Sequence, residues 1–178
     1  MTTTLSELTQ KILNGYRLKR GDDLELFKTG DLDELERGAG AIQKQYRRNH
    51  VDLCSIINGR SGRCPEDCKY CAQSACHRTD VKEYGFLPIE EIYAAAKKNQ
   101  EAGLNRFAVV TAGRALTGTE FDKAIAAFEK MKKELSIGLC ASMGFLSAEQ
   151  FRRLKKAGVT SYHHNIETSK RFFPYICT

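Results

Sequence analysis

Hydrophobic positions along the chain fall into two alternating rhythms. Four short runs rich in apolar and β-branched residues, Val51 to Asn58, Arg106 to Thr111, Ile137 to Met143 and Val159 to Ile166, read as strands. Between them apolar residues recur every three or four positions, the spacing that gathers them on one face of a helix. The first such segment opens at Pro88, carries Ile89, Ile92, Tyr93 and Ala96 on one face, and ends before Gly103. The second begins at Thr119 with Asp122 three residues on, and repeats apolar groups at Phe121, Ala124, Ile125, Phe128, Met131 and Leu135. The third starts at Ser147 with Gln150 as its capping-box partner, buries Phe151 and Leu154, and stops at Gly158. Ahead of all of these, Leu5 to Gly15 and Asp33 to Arg48 read as helices.

Strand, helix and strand in this order imply parallel pairing with right-handed crossovers. The expected fold is α/β: a partial (β/α)8 TIM-type barrel of about four β/α units over residues 51–178, preceded by an N-terminal helical extension over residues 1–50. A complete barrel of this kind usually takes about 250 residues. At 178 residues the chain therefore reads as a truncated barrel, whose fourth strand edge and apolar inner surface would be left open.

Composition narrows the function classes. The chain is 42% hydrophobic and 28% charged, ordinary for a globular protein. No run approaches the roughly 20 apolar residues that span a bilayer, and the start Met1-Thr-Thr-Thr-Leu-Ser-Glu lacks a basic segment followed by an apolar one. The expectation is a cytoplasmic protein with no membrane partner. The formal net charge of +6 is scattered over helix-like stretches, without the basic block and interleaved aromatics that track nucleic acid. Seven cysteines is an odd count, and four crowd into Cys64 to Cys76, which argues against a secreted disulfide framework and for metal or redox chemistry.

Cys64, Cys68 and Cys71 are spaced C-x3-C-x2-C directly after the first strand. A tetrahedral zinc site wants four ligands, usually in two pairs, and no second pair follows, although Cys76 could serve as a fourth. A four-iron cube can be held by three thiolates, which leaves one iron open to a substrate or cofactor. The loop after a barrel strand lies at the C-terminal mouth, where sites in this architecture sit.

The octapeptide "CPEDCKYC" on that loop, with "LCASMGFLS" on the third strand and "YHHNIETS" on the fourth, resembles the radical S-adenosylmethionine superfamily and, within it, the biotin synthase family. The resemblance runs from about Cys54 to Thr178; the first fifty residues carry little of it. It implies a 4Fe-4S cluster on Cys64, Cys68 and Cys71, with S-adenosylmethionine on the open iron. Asn165 and Glu167 fall on the family's ribose-binding positions and share a strand parity with Ser161 and His163; Tyr70 takes the aromatic position beside the adenine. The implied chemistry is reductive cleavage of the sulfonium to methionine and a 5'-deoxyadenosyl radical. Hydrogen abstraction from two unactivated carbons of dethiobiotin follows, and an auxiliary iron-sulfur cluster donates sulfur to give biotin. A flavodoxin-type or ferredoxin-type electron donor and a homodimer of the complete protein are implied with it.

The sequence departs from the family in one place. Cys140 supplies the third-strand ligand of the auxiliary cluster, but Ala108 stands where the second-strand cysteine belongs. By alternation Cys54 shares the inner face of the first strand with Asp52, Ile56 and Asn58, near Arg106, Ala108 and Cys140. Cys54 is therefore expected either to replace the missing thiolate, in a 2Fe-2S cluster or a variant of it, or to be a small buried residue. Cys76 and His77 are expected at the surface, His163 near the ureido group of the substrate, and Cys177 in a packing role. A neighbouring radical enzyme, of the hydrogenase-cofactor maturase or methylornithine synthase type, and a catalytically silent metal-binding fragment stand as alternatives.

Overall fold

The computed structural model describes residues 4–22, 24–29, 31–48 and 50–177. The chain divides into two compact units, Met1–Val51 and Asp52–Thr178.

The first unit is helical. α1 (Leu5–Leu13) starts from a capping box in which the Thr4 side chain accepts from the Glu7 backbone while the Glu7 carboxylate accepts from the Thr4 N–H. α2 (Leu26–Thr29) is a single turn, and α3 (Leu32–Arg47) is capped by Asp31. Near the end of α3, Gln45 donates to the Leu13 carbonyl at the end of α1, and Tyr46 donates to the Ile12 carbonyl, which also accepts the Gly15 N–H.

The second unit is a four-stranded parallel sheet in the order β1-β2-β3-β4, with β1 at Cys54–Arg60, β2 at Arg106–Thr111, β3 at Gly138–Ser142 and β4 at Val159–Tyr162. Three helices form the crossovers: α4 (Ile89–Glu101), α5 (Gly118–Glu134) and α6 (Ala148–Lys156). α4 stops where Gly103 turns to φ +81°, and the Gly103 and Leu104 N–H groups bond back to Gln100 and Asn99. α6 has the expected capping box between Ser147 and Gln150. α5 begins two residues earlier than expected, with Thr117 rather than Thr119 ahead of it.

All three helices share one core with the sheet. Phe107 and Val109 of β2 and Leu139 and Ala141 of β3 pack with Ile92, Phe121, Phe128, Met131 and Leu154, all essentially sealed from water. Each fully buried phenylalanine contributes about 2–3 kcal/mol of hydrophobic stabilisation. The opposite parity, Cys54, Ile56, Arg106, Ala108 and Cys140, forms the other sheet face, on which Ile56 is 66% exposed. Helices on one face only of a parallel sheet are the arrangement of a barrel wall, not of a doubly wound sheet. The α/β, partial TIM-type fold expected from the sequence is thus the observed one.

β3 is one residue shorter at each end than the sequence reading, and two other strands differ more in extent. β1 starts at Cys54 rather than Val51: the Arg106 N–H bond to the Leu53 carbonyl is the first rung of the β1–β2 ladder, and before it the Leu53 N–H is taken by the Asn105 side chain instead of a strand carbonyl. β4 ends at Tyr162, after a register irregularity opposite Leu139 and Cys140. The chain continues irregularly to α7 (Phe173–Ile176), a short helical turn.

Candidate functional site

The loop after β1 is built to present thiols. Gly62 and Arg63 both take positive φ, +80° and +49°, which reverses the chain at the strand exit. The Gln73 side-chain oxygen accepts from the Gly62 N–H at 3.0 Å and from the Ser61 hydroxyl at 3.2 Å. Backbone bonds from Cys64 to the Gln73 carbonyl and from Ala75 to the Cys64 carbonyl close the loop on itself. Inside it the buried Ser74 hydroxyl donates to the Glu66 carbonyl at 2.6 Å and accepts from the Cys76 N–H at 3.1 Å. Cys64, Cys68 and Cys71, all half-buried, stand on this frame. Cys76 is exposed, as expected; the His77 ring instead reaches the Cys68 carbonyl at 3.1 Å and helps hold the loop.

The segment after β4 folds onto the same loop. The Lys69 N–H bonds to the Ile176 carbonyl at 3.0 Å, and its ammonium to the Tyr175 carbonyl at 2.6 Å. The Tyr70 phenol meets both the Glu167 carboxylate and the Cys177 thiol; burial first, then Glu167, holds its pKa above the ordinary tyrosine range. Glu167 has φ +67°, a conformation that non-glycine residues rarely hold without compensating contacts. Burial, then the neighbouring Cys177, pushes the Cys68 thiol up to about 11. Tyr70 and Glu167 are thus brought together, while Asn165 and His163 are exposed nearby in sequence. Because β4 stops at Tyr162, strand alternation does not place Asn165, Glu167 or His163; the irregular segment does.

The exits of β2 and β3 are joined across the mouth. Phe145 donates to the Arg114 carbonyl and Leu116 to the Met143 carbonyl. The Arg114 guanidinium lies 5.3 Å above the Phe145 ring and pairs with Glu66, the middle of the three residues between Cys64 and Cys68. Phe145 in turn meets His164 edge to face, ring centroids 4.5 Å apart.

A second thiol group occupies the sheet face away from the helices. Cys54 is in register with Arg106, Ala108 with Cys140, and Cys140 with Ser161. The Cys140 thiol is held above its usual pKa by burial, then by nearby Cys54, with Arg106 and a Ser161 hydrogen bond working the other way. Cys54 is exposed rather than buried, and Arg106 is paired with Asp52 at 3.4 Å. On the same face, the Asn58 carboxamide oxygen is buried without a hydrogen-bond partner.

The sequence reading missed the loop contacts of Cys177, Arg114 and His77. Each acts across a turn or a long sequence separation, and nothing in the local pattern marks it.

Among the described residues, no three His, Cys, Asp or Glu side chains converge on one point as a single bound ion would require. Three thiols spread around a loop suit a polynuclear cluster, in which each binds a separate iron. Residues 60–177 match the family model described as the Radical SAM superfamily. The chain is a radical SAM protein. Membership implies a 4Fe-4S cluster and S-adenosylmethionine, and the half-buried loop thiols fit the former. The chain is 56% identical over 174 residues to a biotin synthase of Clostridium beijerinckii, 50% identical over 174 residues to one of Alkaliphilus metalliredigens, and 46% identical over 171 residues to one of Clostridium perfringens. These alignments take in 96–98% of this chain and 53–55% of the relatives. The radical SAM chain thus spans about half the length of the curated relatives it matches. A solved structure, Streptococcus suis SuiB bound to precursor peptide SuiA, aligns at 15% identity and a TM-score of 0.42 over 88% of this chain and 34% of its own. No helix among the described residues is long and apolar enough to cross a membrane.

Proposed function

We propose that the polypeptide carrying this chain converts dethiobiotin to biotin by radical S-adenosylmethionine chemistry, with residues 51–178 as part of its barrel. The reading is carried by the identity to biotin synthases over almost the whole chain, together with a thiol loop closed by Tyr70 and Glu167. Cys64, Cys68 and Cys71 would hold the 4Fe-4S cluster. When bound, the cluster and S-adenosylmethionine would together supply the one-electron chemistry that opens the sulfonium. The remaining work belongs to side chains. Glu167 can accept from both ribose hydroxyls, Asn165 can both donate and accept, and Tyr70 fixes the Glu167 carboxylate while offering an aromatic face. Such positioning, with water kept out, is what steers a reactive species to one carbon.

Cys140 and Cys54 would hold the auxiliary sulfur source, as a 2Fe-2S cluster or a variant, with Arg106 close to it. Ala108 offers no donor, and the proximity of Cys54 to Cys140 supports the substitution. A flavodoxin-type or ferredoxin-type donor, a homodimer of the complete protein and a cytoplasmic setting complete the reading.

The absence of a donor at Ala108 favours one second reading, a radical SAM enzyme of the hydrogenase-cofactor maturase or methylornithine synthase type. The test is anaerobic incubation of the full-length, cluster-loaded polypeptide with S-adenosylmethionine, a low-potential reductant and dethiobiotin. Biotin formed with matching loss of S-adenosylmethionine is the expected result. Cleavage of S-adenosylmethionine without biotin would transfer the chain to the second reading.

A further inference from the structure

The Cys177 thiol lies 3.5 Å from the Cys68 sulfur, across 109 positions of sequence. Cys177 is only 4% exposed, whereas Cys68 is half-buried and reachable. The residues beside them, Lys69 and Ile176, are joined by a backbone hydrogen bond of 3.0 Å, and the Lys69 ammonium is fixed on the Tyr175 carbonyl. The two main chains are thus tied together one residue away from each sulfur, and the sulfurs have to close from 3.5 Å to the roughly 2.05 Å of a disulfide. An approach of about 1.5 Å between side chains already in contact is all that the bond requires.

We propose that Cys68 and Cys177 form a reversible disulfide whenever the loop carries no cluster, so that one bond both shields Cys68 and withholds it from iron. The oxidant is a low-molecular-weight disulfide of the glutathione type. The Cys68 thiolate attacks one of its sulfurs, forming a mixed disulfide and expelling one small thiolate. The Cys177 thiolate then attacks the Cys68 sulfur, and the second small thiolate leaves. Two protein thiols are oxidised, one small disulfide is reduced to two thiols, and the two protons pass to the leaving groups. A dithiol reductant runs the sequence backward. When the cluster is present the Cys68 sulfur is committed to iron and the exchange is blocked. The pairing rests on the contact between the sulfurs and would stand even if the substrate were not dethiobiotin.

The test strips iron anaerobically from the full-length polypeptide with a chelator, adds oxidised glutathione, blocks residual thiols and maps a non-reducing tryptic digest by mass spectrometry. The expected product links peptide 64–69 to the peptide beginning at Phe172, with fragmentation placing the bond on Cys68 rather than Cys64. On a Cys54→Ala background, which leaves the loop cluster alone, iron and sulfide uptake by this material should fall at least tenfold and return after dithiothreitol. Polypeptide loaded with cluster before oxidation should give no linked peptide, and Cys177→Ser should accumulate glutathione on Cys68. Recovery of Cys177 as a blocked, previously free thiol, with Cys68 paired to Cys64 or Cys71 or left as the mixed disulfide, would overturn the proposal.

Discussion

Arg60, the last residue of β1, and Glu120, in the first turn of α5, form an ion pair of 2.8 Å that is more than two-thirds shielded on both sides. The same carboxylate accepts the Phe86 N–H at 2.9 Å, and the Arg60 fork also donates to the Ala112 carbonyl. One residue pair thus ties together the β1 exit, the approach to α4 and the β2 exit. Burial alone would raise the Glu120 pKa, but the Phe86 N–H and Arg60 more than offset it, and the carboxyl titrates below its ordinary value. Glu120→Gln should destabilise the second unit by about 2 kcal/mol at neutral pH. Because the folded pKa is depressed, this stabilisation is present above the unfolded value of 4.5 and is lost as pH falls through the folded value. Urea midpoints of the wild type and Glu120→Gln should therefore converge in acid below about pH 4.5; a constant difference would assign the effect to packing.

Gly144 holds the β2 and β3 exits together. It sits at φ +76°, and a Cβ there would run into the Arg114 carbonyl, which itself accepts the Phe145 N–H. Gly144→Ala should cost about 3 kcal/mol, from a left-handed backbone and a clash with main chain that cannot swing away. Gly40, in α3, has open space around it, and Gly40→Ala should instead stabilise its helix by about 1 kcal/mol. Thermal unfolding of the two variants side by side reads both signs.

In the proposed cofactor site, Glu167→Gln should weaken S-adenosylmethionine binding about tenfold, the worth of a charge-assisted hydrogen bond. Tyr70→Phe should weaken it less, because the ring remains and only the hydroxyl that orients Glu167 is lost. Equilibrium dialysis on cluster-loaded polypeptide, with iron content checked in parallel, separates lost cofactor contacts from lost cluster.

Cys54→Ala in the full-length polypeptide should lower iron and sulfide per chain without altering the 4Fe-4S signal. Unchanged iron and sulfide would remove Cys54 from the auxiliary ligand set and leave it a small side chain opposite Arg106.

The elements that could be read from the sequence are those whose ends carry their own chemistry. Ser147 and Gln150 announce α6, Gly103 and Gly158 close α4 and α6, and the strand residues Phe107, Val109, Leu139 and Ala141 alternate cleanly because one face meets helices. The end of β4 was not legible, since it is set by where the β3 ladder stops pairing and not by any breaker before Ile166. The cysteine loop announced itself by spacing alone. The closing contacts did not: Lys69 to Ile176 and Cys68 to Cys177 join residues more than a hundred positions apart, and Cys177 within its own segment is only a cysteine after a helical turn. Ala108 was legible as a missing donor, yet the pairing of Arg106 with Asp52 required the strand register to appear.

The account depends most on the C-x3-C-x2-C loop holding a four-iron cube with one iron free for S-adenosylmethionine. The direct measurement is electron paramagnetic resonance of anaerobically reconstituted, dithionite-reduced polypeptide, with and without S-adenosylmethionine, on a Cys54→Ala background that isolates this cluster. The account predicts about four irons per chain, a reduced-cluster signal that changes on adding S-adenosylmethionine, and loss of both in Cys64→Ala, Cys68→Ala and Cys71→Ala. A cluster whose signal is indifferent to S-adenosylmethionine, or one that survives loss of those three thiols, would contradict it.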